Sequence, residues 1–303
     1  MASYITFIRR KTLATLLRLS SRQLTRDLSP KEIAQIEIES REKERQIKLH
    51  VYNYPHDGES QRAKPVLINW HGSGFIIPAL GSDALFCSRV SNAIGITVID
   101  ADYRKAPEHP FPAGLEDVCD VIEWVFGQPE KFDPEKIALS GFSAGGNLAL
   151  VASSSSNHGN MTKAQIRAIL AFYPPTNLSI PPETKQAIAP IQPIPSYVAN
   201  FIADCYIPPS IQPSDPRISP AFIDASTFPE NVLIVTCEGD NLCLEAEELA
   251  SEIVKSRGNV VNRRLQGVGH AWDKSAEDGS YEAKVREEAY SLAVNFLCSA
   301  LKI

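Results

Sequence analysis

"LSGFSAGGNL", Leu139–Leu148, sets Ser143 among Gly141, Gly145 and Gly146, directly after a short apolar run. Glycine is favoured where the backbone takes positive φ or where another segment passes closely, so three of them around one serine ask for an explanation. The spacing G-x-S-x-G is that of a nucleophile elbow, a tight strand-to-helix turn that lifts a serine Oγ clear of a sheet. The serine is strained in such a turn, and Gly141 and Gly145 leave room for it. Taken alone, the spacing fits an ordinary glycine-rich loop equally well. The flanks favour the elbow. "KIALS" (136–140) reads as a buried strand entering the turn, and "AGGNLALVASSSS" (144–156) as a helix leaving it.

The composition bounds what such a serine could serve. With 303 residues, 44% apolar and 22% charged, the chain is an ordinary globular one, with length for a sizeable core. A formal charge of −6 offers no electrostatic footprint for nucleic acid. No apolar run approaches the roughly 20 residues of a membrane-spanning helix. Cysteines 87, 119, 205, 237, 243 and 298 are scattered without C-x-x-C pairs. They read as buried or free thiols of a reducing, cytoplasmic compartment, and neither a disulfide framework nor a metal site is expected.

Residues 1–29 carry Arg9, Arg10, Lys11, Arg18, Arg22 and Arg26 against Asp27 alone, with Ile5, Ile8, Leu13, Leu16, Leu17 and Leu24 at helical spacing. An amphipathic, arginine-rich, acid-poor segment has the character of a mitochondrial transit peptide. The alternative, and the one preferred, is cap helices over residues 1–34. Their face of Ile5, Ile8, Leu13, Leu16 and Leu17 would pack over a pocket, with Arg9, Arg18 and Arg22 pointing outward or laying their stems along it. Ser29, Pro30 and Glu32 then read as the N-cap, first and third positions of a second short helix.

Beyond that segment, apolar strands are expected at 35–40, 46–54, 66–70, 96–100, 137–140, 166–172, 232–237 and 260–265. From Val66 onward most are separated by helices, at 84–94, 115–126, 144–155 and 244–257, with a final helix at 281–301. Strand–helix alternation argues for a parallel sheet covered on both faces, with the first two strands antiparallel at one edge. Thirteen of the 22 prolines fall between Pro174 and Pro229, where they favour rigid turns over long helices. This stretch reads as an insertion over the sheet, anchored by Tyr197, Phe201, Ile202, Tyr206 and Phe222. The core is thus divided into 35–173 and 229–303, with an insertion at 174–228.

A nucleophilic serine needs a base and an acid to orient it. Among six histidines, His270 follows the last strand between glycines, in "LQGVGHAWD", where a general base belongs. Asp240 in "CEGDNL" follows the preceding strand. Glu238 is the competing acid, and an N-cap is the competing role for Asp240. The order Ser143, Asp240, His270 is that of α/β-hydrolases. After the strand ending at Trp70, "NWHGSGFI" (69–76) supplies a glycine-rich loop whose backbone N–H groups, with that of Ala144, suit an oxyanion.

These segments resemble the hormone-sensitive-lipase family of α/β-hydrolases. "HGSGF" (71–75) stands for the family's HGGG, and "DYRKAPEHPFPA" (102–113), "GFSAGG" (141–146) and "DPRISP" (215–220) complete the match with Asp240 and "GVGH" (267–270). The resemblance implies an α/β-hydrolase fold with a mostly parallel eight-stranded sheet and a mainly helical cap. It implies a Ser143–Asp240–His270 triad, an oxyanion hole at Gly72, Ser73, Gly74 and Ala144, and no cofactor or metal. Phe75, Tyr197 and Phe201 are expected to line the substrate pocket. The sequence departs from the family at Ser73, usually glycine, and at Lys105, usually leucine. The Ser73 hydroxyl is expected either to add a bond to the oxyanion or to be dispensable, and Arg104 and Glu108 to tie loops together. The implied activity is hydrolysis of short to medium acyl esters or of a small metabolite ester. Alternatives on the same triad are an amidase, a formamidase or a biosynthetic hydrolase. A non-catalytic small-molecule receptor is a further alternative, set against the intact triad. A homodimer is compatible with all of these.

Overall fold

The computed structural model describes residues 2–21, 33–54, 63–154, 166–257 and 260–303. Eight strands form one sheet: β1 (Ala34–Glu39), β2 (Gln46–Tyr52), β3 (Lys64–Trp70), β4 (Thr97–Ala101), β5 (Phe132–Phe142), β6 (Ile166–Phe172), β7 (Asn231–Cys237) and β8 (Val260–Leu265). Their spatial order is β1-β2-β4-β3-β5-β6-β7-β8. The β1–β2 and β2–β4 pairs are antiparallel and every later pair is parallel.

Side chains alternate across these strands, so each face builds its own core. Val66, Ile68 and Trp70 of β3 join one cluster with α3 (Ala113–Phe126), α4 (Ala144–Ser153) and α6 (Cys243–Arg257). Leu67 turns to the opposite face, into a cluster with α2 (Ala84–Ile94) and α8 (Tyr281–Leu301). With both faces covered, β4 and β7 are buried along almost their whole length, and β7 is correspondingly rich in aliphatic residues, whereas β4 carries the buried polar residues Thr97 and Asp100. The strand and helix positions agree with the sequence reading to within a few residues, β5 excepted. That strand begins at Phe132, because Asp133, Pro134, Glu135 and Lys136 extend it beyond the apolar stretch that reads as a strand.

Between β6 and β7 lies α5 (Ser196–Tyr206) with three short 3-10 turns. This region is fastened to the loops after the strands. The N–H of Ile191 donates to the Gly239 carbonyl at 3.0 Å, and that of Ala189 to the Glu238 carbonyl at 3.2 Å. Asn147 of α4 donates through Nδ2 to the carbonyls of Pro175 and Ile218.

At the N-terminus, α1 (Ala2–Ser21) is a single helix. Its docking differs from expectation. Ala14 is fully buried, while Ile5, Ile8, Leu13 and Leu16 are exposed. Arg18 points inward: it donates to both carboxylate oxygens of Glu108 (3.0 and 2.7 Å) and to the carbonyls of Ile76 and Ala106. A small residue permits close approach, and a charge-assisted fork then fixes the helix more specifically than an aliphatic face would. The second helix expected around Ser29 lies outside the described residues.

Candidate active site

The close approaches at the elbow account for its glycines. A Cβ on Gly141 would lie 2.3 Å from the Gly145 carbonyl, and one on Gly145 would lie 2.0 Å from the Trp70 oxygen. Neither position admits a side chain. Ser143 takes φ 49°, ψ −119°, a costly conformation for a residue with a Cβ. Its N–H donates to the Phe172 carbonyl at 2.9 Å, so the neighbouring strand holds the turn.

His270 Nε2 lies 2.9 Å from Ser143 Oγ, and His270 Nδ1 lies 2.6 Å from Asp240 Oδ2. Three loops, from 127 residues apart in one case, meet here because β5, β7 and β8 are parallel and end on the same side. Asp240 is wholly buried, and its other oxygen accepts the N–H of Leu242. Glu238, the competing acid, instead accepts the N–H of Gly267 through Oε2. Gly269 is close-packed: a Cβ there would lie 2.2 Å from the Ile191 carbonyl. The insertion is thus seated directly on the histidine loop.

The register of β3 against β5 pairs Trp70 with Gly141, so the loop from His71 leaves the sheet beside the elbow. Gly72 lies where a Cβ would touch the Ser143 Cβ at 3.4 Å, and Gly74 takes φ +53°. Ala144 opens α4, where first-turn N–H groups lack a partner within the helix. Gly72, Ser73, Gly74 and Ala144 therefore surround Ser143 on one side. Ser73 φ is not positive. Its hydroxyl is turned onto Tyr103, with Oγ 2.6 Å from the phenol oxygen. Tyr103 donates its single proton to the His71 carbonyl at 2.8 Å, so Ser73 must be the donor in the 2.6 Å bond. Lys105 Nζ sits 3.4 Å over the Tyr103 ring and donates to Asp102 Oδ1 at 2.9 Å. Both departures from the family pattern thus converge on one tyrosine. His71 is fully buried; burial and then the Lys105 charge hold its pKa well below that of an ordinary histidine, so the ring is neutral.

Two cavities open on Ser143. One, about 190 Å³, runs under the insertion between Phe75, Leu178, Ile194, Ile202, Ala203 and Leu242. The other, about 370 Å³, lies along Ile77, Ala79, Tyr173, His270 and Lys274. Phe75 lines the smaller cavity and stacks on Tyr206 with ring centroids 3.8 Å apart. Tyr197 does not: it is 75% exposed, on the outer side of α5. Phe201 is half-buried and packs into the sheet cluster, whereas its neighbour Ile202 faces the cavity. An aromatic count cannot tell the inner from the outer side of so short a helix.

Sequence reasoning missed the support behind His270. Tyr173, at φ 40°, packs at a steep angle against the imidazole, ring centroids 4.9 Å apart, and donates to Asp273 Oδ1 at 2.7 Å. Tyr290 donates to Asp273 Oδ2 at 2.7 Å. Lys274 Nζ lies between Asp83 Oδ1 (2.6 Å) and Asp273 Oδ2 (2.8 Å). Burial alone would raise the Asp273 pKa, but Lys274 and the two phenols outweigh it and hold the carboxyl below its usual range. The "WDK" after the histidine was the available signal, but its partners lie far away in sequence.

A family model described as alpha/beta hydrolase fold matches residues 67–274, and the chain belongs to that family, in its hormone-sensitive-lipase and carboxylesterase-like branch. Carboxylesterase 20 of Arabidopsis thaliana is 24% identical over 258 residues, 80% of this chain and 77% of that protein. Carboxylesterase NlhH of Mycobacterium tuberculosis is 36% identical over 132 residues, 42% of this chain and 40% of its own. Among solved structures, the thermostable carboxylesterase EstE1 from a metagenomic library superposes with a TM-score of 0.80 at 27% identity, covering 96% of this chain and 97% of that one. An esterase of Pyrobaculum calidifontis gives 0.76 at 29% identity, covering 96% and 92%.

Proposed function

We propose that the chain is a carboxylic ester hydrolase in which Ser143 is the nucleophile, His270 the general base and acid, and Asp240 the residue that orients the imidazole. The unbroken path from Ser143 Oγ to His270 Nε2 and from Nδ1 to Asp240 Oδ2 carries this reading. With the Nδ1 proton directed at a buried carboxylate, the Nε2 lone pair faces the serine hydroxyl. Ser143 attacks the acyl carbon while Nε2 takes its proton, and the proton then passes to the departing alcohol. Water repeats the sequence on the acyl-enzyme. Asp240 stabilises the imidazolium that forms.

The N–H groups around Ser143, from Gly72, Ser73, Gly74 and Ala144, are assigned to the oxyanion. One such donor contributes about 2.7–4 kcal/mol in measured enzymes. Because the Ser73 hydroxyl is committed to Tyr103, Ser73 serves through its backbone alone. We assign α1 and residues 174–228 to a cap.

The cavities support a reading of substrate size. Apolar cavities of about 150 Å³ hold a benzene, so the space of about 190 Å³ under the cap suits a short or medium acyl chain or a single ring. The wider space of about 370 Å³ then takes the alcohol. The test is a series of p-nitrophenyl esters of graded chain length, with an organophosphate adduct mapped by peptide mass. An optimum among short to medium chains and an adduct on Ser143, both lost in Ser143→Ala, are expected. Normal turnover by Ser143→Ala would overturn the assignment.

A further inference from the structure

We infer that the outer face of α1 docks on an anionic lipid surface. At about 100° per residue, Ile5, Ile8, Thr12, Leu16 and Leu19 fall on one stripe, on the side opposite buried Ala14. Their exposures are 65% for Ile5, 45% for Ile8, 58% for Leu16 and 48% for Leu19. Phe7 and Leu13 are exposed as well, so this helix holds six of the fifteen exposed large hydrophobic residues among those described. An ordinary surface helix turns its apolar stripe to the core and its polar side to water. Here the inner side is held by Ala14, half-buried Leu17 and the Arg18 fork, and the outer side is aliphatic.

The stripe offers little for a protein partner to read by hydrogen bonding. Thr12 and Thr15, the hydroxyl-bearing residues on and beside it, turn their Oγ1 back onto the Ile8 and Lys11 carbonyls at 2.9 and 2.8 Å. Thr12 thereby adds a methyl group to the outer face. Arg9 flanks the stripe on one side and Lys11 on the other, where long basic side chains reach the headgroup level while the aliphatic face enters the acyl boundary. Charge points the same way. Of the 30 basic and 36 acidic residues, six basic and no acidic ones fall in the first 26 positions, leaving the remainder with twelve more acids than bases. With Arg10 beside Asp204 and Arg18 on Glu108, it is Arg9 and Lys11 that an anionic surface attracts, while the net negative charge of the remainder disfavours other orientations.

The inner side ties α1 to the site. Arg18 holds the Ile76 carbonyl, two residues beyond Gly74, and Arg10 lies 3.9 Å from Asp204 on α5. A lipid-seated α1 places the proposed cap at the interface, where lipophilic esters are concentrated. Docking itself does not depend on the catalytic assignment, and its test is separate.

The full chain is mixed with vesicles of phosphatidylcholine alone and of phosphatidylcholine with phosphatidylserine, and binding is read by flotation. Binding to the anionic vesicles, weakened by salt, is expected. The double variant Ile8→Glu/Leu16→Glu should lose it by more than about tenfold, and Arg9→Glu/Lys11→Glu should weaken it. Neither Ile8 nor Leu16 lines a cavity at Ser143, so turnover of a soluble p-nitrophenyl ester should be unchanged in the first variant. Absence of wild-type binding, or equal binding by the variants, would overturn the inference. So would a dimer that Ile8→Glu/Leu16→Glu dissociates, which would assign the stripe to a second copy of this chain.

Discussion

The Ser73 hydroxyl donates to the Tyr103 phenol oxygen at 2.6 Å while that phenol donates to the His71 carbonyl at 2.8 Å. One tyrosine thus clasps two points of the loop beside Ser143, and Lys105 lies over its ring. Removing the phenolic hydroxyl in Tyr103→Phe leaves the Ser73 hydroxyl and the His71 carbonyl without their partner, at a cost of about 1–3 kcal/mol each when unsatisfied. Tyr103→Phe should lower kcat about tenfold or more with KM little changed. Ser73→Ala loses one bond and leaves Tyr103 on His71, so its effect should be smaller, and the double variant should resemble Tyr103→Phe alone. Additive effects in steady-state kinetics would show that the two residues act separately.

The elbow glycines give a sharper contrast. Gly145→Ala would drive a Cβ to within 2.0 Å of the Trp70 oxygen, so β3 or α4 must move and the loop from His71 with it. Activity should fall to background, with a clear drop in melting temperature. Gly127→Ala is the control. Its φ of −69° suits any residue, and its nearest neighbours would be 3.5 Å from the new Cβ. That variant should be neutral or slightly stabilised, by at most about 1 kcal/mol.

Substrate length should respond to the smaller cavity. Ala203 lines it from α5. Ala203→Phe fills much of about 190 Å³ and should shift the p-nitrophenyl ester optimum to shorter acyl chains. The change should appear mainly in kcat/KM for the longer esters, with acetate least affected. An unchanged chain-length profile would place the acyl group in the other cavity.

Asp100 sets a pH dependence of stability. It is wholly buried, with Asn69 Nδ2 donating to both Asp100 (3.0 Å) and Asp83 (2.8 Å). Burial, then the nearby Asp83 charge, push the Asp100 carboxyl up to about 8. The unfolded carboxyl titrates near 3.9, so the folded state binds the proton more tightly. The stability this confers is fully present below the unfolded pKa and is lost as pH rises towards about 8. Asp100→Asn should flatten the fall in melting temperature between about pH 4 and about pH 8 relative to wild type. A variant curve parallel to wild type across that window would contradict the assignment.

Much of the molecule was legible in residue order because the decisive signals are local. Strands buried on both faces are dominated by apolar residues, so the Val, Leu and Ile runs of β3, β4, β6 and β7 declare themselves even with buried Asn69 and Asp100 among them, and G-x-S-x-G marks the close approach that its glycines permit. The chain order of Ser143, Asp240 and His270 follows from strands that end on one side of a sheet. What tertiary structure decided were matters of which way a side chain faces and what it meets across the fold. The choice of Asp240 over Glu238 turns on two residues in one loop, and only the position of His270 separates them. Tyr197 and Ile202 are both apolar-bodied residues of α5, and the sheet beneath determines which faces the cavity. Arg18 reads as a solvent-facing cation until Glu108 and two carbonyls, brought close by an entirely different segment, make burial favourable. Ser73 likewise shows only a departure in its own stretch; its role comes from Tyr103, thirty residues away. Periodicity and backbone conformation are properties of neighbours in the chain, whereas hydrogen-bond partners and burial are properties of neighbours in space.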